Sequence, residues 1–122
     1  MEKLTMAESR LMQIIWEKKE IGSGDLVKEA EKRLSWKKST TYTILKKLTE
    51  KQLAANENSW VRALVTNEEY YQSRRKDALD RYFDGSLPEF LVSFFREETL
   101  TRQQVEELEK LIQDYKEEHY DT

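Results

Sequence analysis

Thr40, Thr43 and Lys47 recur at spacings of three and four residues, so on a helix they share one face. Lys38 and Ser39 stand just before them, and Lys46 and Lys51 follow on the same stretch. Ammonium groups and short hydroxyls in this order suit the non-covalent recognition of a polyanion. Lysines neutralise phosphates, and small hydroxyls let a helix approach base edges closely enough to exchange hydrogen bonds with them. Ser39 and Lys38 fall at the expected start of that helix, where free amides and the positive end of the dipole favour phosphate. Lys46 and Lys51 are placed to touch backbone phosphates. Farther on, Asn56, Asn58 and Arg62 surround a polar turn from which an adjacent groove or phosphate is within reach. The plainer alternative is a solvated lysine face with Ser39 as a mere cap. It leaves Thr40 and Thr43 unexplained, because β-branched residues are indifferent helix formers.

Covalent chemistry finds few tools in this chain. There is no cysteine and a single histidine, His119, which rules out disulfides, thiolate metal sites, cysteine nucleophiles and histidine-based triads. Glycines stand only at 22, 24 and 85, so no phosphate-cradling glycine loop can be written. No enzyme, metal or cofactor is expected. No apolar run approaches the roughly 18 residues of a membrane span, and the N-terminus lacks a signal-peptide apolar core, so the chain reads as soluble and cytoplasmic, with no membrane partner.

The 122 residues allow one ordinary domain or two small ones. With 37% charged residues, three glycines and one proline, the composition favours helices over a sandwich or barrel. The net charge of -3 conceals a division at Thr66. Residues 1–66 hold 13 Lys and Arg against 9 Asp and Glu, a net of +4; residues 67–122 hold 8 against 15, a net of -7. The basic half suits a polyanion and the acidic half does not.

The elements that must position the face can be read from caps and periodicity. Capping boxes are expected at Thr5/Glu8, Thr66/Glu69, Ser86/Glu89 and Thr101/Gln104, with further helix starts at Ser23 and Ser39. A first helix covers about Met6 to Lys18. A second, after Gly22-Ser23-Gly24, is expected to bury Leu26, Val27, Ala30 and Leu34. A third, from about Ser39 to Lys51, turns Thr41, Ile44, Leu45 and Leu48 inward. Leu53–Ala55 and Trp60–Val65 read as two strands joined by a turn over Asn56–Ser59, and Ile21 as a very short third strand. Trp16, Trp36 and Trp60 are expected to be structural, Trp36 by fixing the entry angle of the third helix. Three helices followed by a hairpin is the order of a winged helix.

The acidic half reads as three more helices. One runs from about Asn67 to Phe83, with Tyr71, Ala78, Leu79, Tyr82 and Phe83 as its apolar positions. The next carries Leu87, Phe90, Leu91, Phe94 and Phe95, with Pro88 tolerated in the first turn. The last carries Val105, Leu108, Leu111, Ile112 and Tyr115. Helices of this length next to a separate small domain cannot bury these stripes alone, so self-association is expected, the alternative being that the stripes fold back on the N-terminal unit as one monomeric core. The fold expected is mainly α, a winged helix-turn-helix over residues 1–66 and a helical dimerisation domain over 67–122. On residues alone, a protein-interaction adaptor with no nucleic-acid partner remains the alternative.

Several segments also resemble a known family. They are LTMAESRLMQIIWEKKEIGSGDLVKEA from Leu4, WKKSTTYTILKKLTEKQL from Trp36, LVTNEEY from Leu64, DGSLPEFLVSFF from Asp84 and TLTRQQVEELEKLI from Thr99. In order and over nearly the whole chain, they are similar to the penicillinase repressors, the BlaI/MecI/CopY group of bacterial transcriptional regulators. The resemblance implies a homodimer that represses promoters by binding palindromic double-stranded operators, with Ser39, Thr40, Thr43 and Lys47 facing DNA. It also implies departures. The Asn-Phe bond cut during induction in the β-lactam branch aligns with Ser93-Phe94, so no inactivating protease can be assigned. The copper-binding cysteine cluster of another branch has no counterpart, and Gln52 replaces the glycine usual after the recognition helix.

Overall fold

Thr5 opens the first helix with a complete capping box: its hydroxyl accepts from the Glu8 amide, and the Glu8 carboxylate accepts from the Thr5 amide. In the computed structural model, which describes residues 1–120, the elements are α1 (Met6–Lys18), β1 (Glu20–Gly22), α2 (Ser23–Leu34), α3 (Lys38–Glu50), β2 (Ala54–Glu57), β3 (Trp60–Ala63), α4 (Asn67–Phe83), α5 (Leu87–Glu97) and α6 (Arg102–His119). Asp121 and Thr122, the end of the expected C-terminal region, lie outside the described residues.

Contacts divide the chain into two compact units, Met1–Asp77 and Ala78–Thr122, with the border inside α4 rather than at Thr66. In the first unit α1, α2 and α3 pack against a three-stranded antiparallel sheet of order β1-β3-β2. Ile21 pairs with Val61 in one ladder and Asn56 with Val61 in the other. Val61 is therefore the central inward residue of the sheet, and it is fully buried with Leu11, Ile15, Leu26, Leu45 and Leu48. This is a winged helix-turn-helix, and the inward stripe of α3, Thr41, Ile44, Leu45 and Leu48, is buried as its spacing requires.

Several local expectations are corrected. Ser23 is not a cap: Gly22 takes that position without a side-chain bond, and Ser23 is buried in the first turn of α2. Val27 and Leu34 are half-buried, leaving Leu26 and Ala30 as the core residues of that helix. Ser39 is not a cap either, since α3 already begins at Lys38 behind Lys37. The first wing strand runs on to Glu57, so the turn shrinks to Asn58 and Ser59, both left-handed at φ 53° and 61°, while the second strand ends at Ala63 rather than Val65. Two successive left-handed residues match the twist of the flanking strands. Gln52 is left-handed as well (φ 61°), and the amides of Gln52 and Leu53 bond back to the Thr49 and Leu48 carbonyls. This is a Schellman closure in which glutamine occupies the place glycine normally fills.

Two of the three tryptophans are structural. Trp36 packs against the core, and Trp16 Nε1 donates to the Val65 carbonyl at 2.9 Å while its ring lies 5.9 Å from that of Tyr70. Trp60 is exposed on the wing, its Nε1 directed at the Glu20 carboxylate at 3.3 Å. On α4 the buried residue is Tyr70, not Tyr71, because the Tyr70 hydroxyl accepts from the Leu4 amide at 2.8 Å.

In the second unit Asp84 and Gly85, both at positive φ, end α4. Ser86 caps α5 through the Glu89 amide, although the return bond expected from Glu89 is not formed. Thr101 and Gln104 form a full box on α6. Phe83 and Phe90 meet edge to face at 5.2 Å. No residue of α5 or α6 is buried.

Candidate nucleic-acid interface

The exposed surface of α3 follows from its buried stripe. Successive residues turn by about 100°, so with Thr41, Ile44, Leu45 and Leu48 pointing inward the outward direction falls on Ser39, Thr43 and Lys46. Thr40 and Lys47 flank that line on one side and Tyr42 on the other, and all six side chains are exposed. The expected face is thus brought together on a single helix, and it is wider than the spacing of Thr40, Thr43 and Lys47 alone indicates. Tyr42 was the residue to add; its place outside the buried stripe was the available signal.

The hydroxyls do not all have the same freedom. Thr43 Oγ1 donates to the Ser39 carbonyl at 2.9 Å, which spends its proton and leaves its lone pairs outward. Such an oxygen accepts, and on the major-groove floor the donors are the amino groups of adenine and cytosine. At the start of α3 no side chain caps the helix and no acidic residue lies in the first turn, while Lys37 and Lys38 flank it. Free amides and ammonium groups at a helix start favour an anion there.

Lys51 departs from the expected set. Its Nζ is bound by the Glu8 carboxylate and donates to the Lys3 carbonyl at 2.9 Å, so it is committed to the protein rather than free for phosphate. Glu8 is itself buried. Burial alone pushes its carboxyl up, but hydrogen bonds from Lys51 and Thr5 and the charges of Lys51 and Lys47 outweigh this and hold it below its ordinary pKa. On the wing, Arg62 faces Glu57 at 3.9 Å, with both side chains exposed. An exposed pair of that length is weak, and a phosphate can compete for the guanidinium.

The second unit carries a groove of about 530 Å³ between α5 and α6, lined by Leu91, Phe95, Leu100, Val105, Leu108 and Ile112. Leu87, Phe90, Phe94, Leu111 and Tyr115 are also exposed. Among the described residues no group of three or more potential metal ligands comes together, and no helix is long and apolar enough to cross a membrane.

Comparison with known proteins follows this geometry. A family model described as penicillinase repressor matches residues 4–114. The chain is 25% identical over 115 residues to the penicillinase repressor of Bacillus licheniformis, covering 90% of this chain and 89% of that protein. It is 24% identical over 115 residues to the penicillinase repressor of Staphylococcus aureus, with 91% of each chain covered. To the methicillin resistance regulatory protein MecI of Staphylococcus aureus (strain N315) it is 22% identical over 113 residues, covering 89% of this chain and 92% of that one. Among solved structures, the reduced form of MarR from E.coli superposes with a TM-score of 0.45 at 20% identity, over 93% of this chain and 75% of that one, too loosely to argue from. Matched across all but its first few and last few residues, the chain belongs to the penicillinase repressor family.

Proposed function

We propose that the protein is a homodimeric, cytoplasmic bacterial transcriptional repressor. Its first unit binds double-stranded DNA with α3 in the major groove, and its second unit holds two copies together on a palindromic operator. The observation that carries this reading is the exposed face of α3, where Ser39, Thr40, Thr43, Lys46 and Lys47 stand together on a winged-helix frame. Lys38, Lys46 and Lys47 neutralise backbone phosphates, Arg62 reaches one from the wing, and Thr40 and Thr43 meet base edges. The dimer is supported by two helices whose apolar stripes are unburied in the single chain. Two-fold symmetry of the protein then accounts for a palindromic site.

The test is binding to duplex DNA of the protein's own promoter as a function of salt. Eight cation-phosphate contacts, four from each protomer, give a slope of log K on log salt of about -7. Lys47→Ala is expected to flatten that slope by about 2 without altering sequence preference. Thr43→Ala is expected to lower operator affinity about tenfold with the slope unchanged. No DNA binding at low salt would sink the reading and leave the adaptor alternative, in which the groove of the second unit receives another protein.

A further inference from the structure

Tyr42 is the one large aromatic side chain on the exposed side of α3, and the DNA contacts named so far do not use it. Its surroundings restrict what it can do. The phenolic hydroxyl donates to Ser23 Oγ at 3.4 Å, and Ser23 is buried in α2, so the polar tip of the side chain is turned into the protein. What remains outward is ring, with Lys38 Nζ 6.0 Å from its centroid. The ring forms one wall of a recess of about 320 Å³ whose other walls are Leu45, Lys46 and Thr49 of α3 and Asn56 of β2. This recess opens on the wing side of the helix, beside the Thr43 line.

A phenyl surface whose hydroxyl is already engaged has no donor to offer a phosphate. The apolar feature on the floor of the major groove is the C5-methyl group of thymine. Resting on the proposal that α3 enters that groove, we infer that Tyr42 is a specificity-determining residue whose ring packs on the methyl of a thymine at the wing-side edge of each half-site. Ser23 anchors the ring, and Asn56, on another wall of the recess, limits how far the base can shift. Tyr42→Phe keeps the ring and loses only the anchor, whereas Tyr42→Ala removes the surface that the methyl meets.

The experiment selects preferred duplexes from a randomised pool with the wild-type protein, then replaces each thymine of the selected site in turn by uracil. For the wild type, one such replacement per half-site is expected to weaken binding about fourfold, the loss for one buried methyl. Tyr42→Ala is expected to be indifferent to that replacement and to select sites degenerate at that position only, while Tyr42→Phe remains sensitive. The inference is overturned if Tyr42→Ala keeps the wild-type uracil response at every position. It is equally overturned if Tyr42→Ala weakens all sequences alike with a shallower salt slope, which marks a phosphate contact, or if Tyr42→Phe loses the uracil response. A wild-type protein that binds no duplex would overturn the repressor reading itself, a result distinct from these.

Discussion

Glu8 has two partners that draw on different parts of the chain. Its bond to the Thr5 amide is local and was legible as a capping box; its ion pair with Lys51 spans 43 residues and was not, because no local pattern announces which lysine a buried carboxylate will meet. The pair joins the first turn of α1 to the end of α3. Removing one member leaves the other charge buried, so Lys51→Met is expected to cost about 3 kcal/mol of stability at neutral pH, read from urea unfolding. The pH dependence has a definite sign. With the folded pKa of Glu8 depressed, its stabilisation is complete above the ordinary carboxylate range and is lost as pH falls through the folded value. Glu8→Gln is expected to flatten this part of the acid dependence of unfolding. The same limit of local reading explains the two tyrosines of α4. Adjacent positions fit the helical stripe about equally, and the choice of Tyr70 was made by the Leu4 amide, 66 residues away.

Elements were the most legible level of the sequence, because helix starts and buried stripes are local properties. Thr5, Thr66 and Thr101 announce α1, α4 and α6 with complete capping boxes. The stripe of α3 fixes both what it buries and, by exclusion, what it shows. Where side chains do not cap, at Gly22 and Lys37, the starts were misplaced by a residue or two, since backbone geometry alone sets them. The end of α3 also carries a backbone cost. A left-handed glutamine carries a steric penalty of about 1 kcal/mol that glycine does not, partly offset by the greater entropy of glycine in the unfolded chain. Gln52→Gly is therefore expected to stabilise the protein by about 0.5 kcal/mol in urea unfolding, with DNA affinity unchanged.

At the scale of the whole molecule, the two units differ in what they bury. The first has a closed core under its sheet, whereas α5 and α6 of the second leave Phe95 48% and Ile112 57% exposed. Covering one such side chain fully is worth about 1.5 to 3 kcal/mol, so covering several on one groove favours association. Phe95→Asp combined with Ile112→Asp is expected to convert a dimer to a monomer at micromolar concentration in sedimentation velocity, and to lower operator affinity by at least tenfold through loss of the second half-site. A monomeric wild type under those conditions would contradict the proposed assembly.

Tryptophan and phenylalanine, unlike tyrosine, are sorted by unit. Trp16, Trp36 and Trp60 all lie in the first, while Phe83, Phe90, Phe94 and Phe95 all lie in the second. Tryptophan fluorescence consequently reports on the first unit, with Trp16 also sensing the Tyr70 end of α4, whereas far-ultraviolet dichroism registers loss of helix in both units. The chain thus carries one natural reporter confined to the first unit and one common to both. Whether the two signals change at the same denaturant concentration tells directly if the two units unfold as one cooperative body or as two.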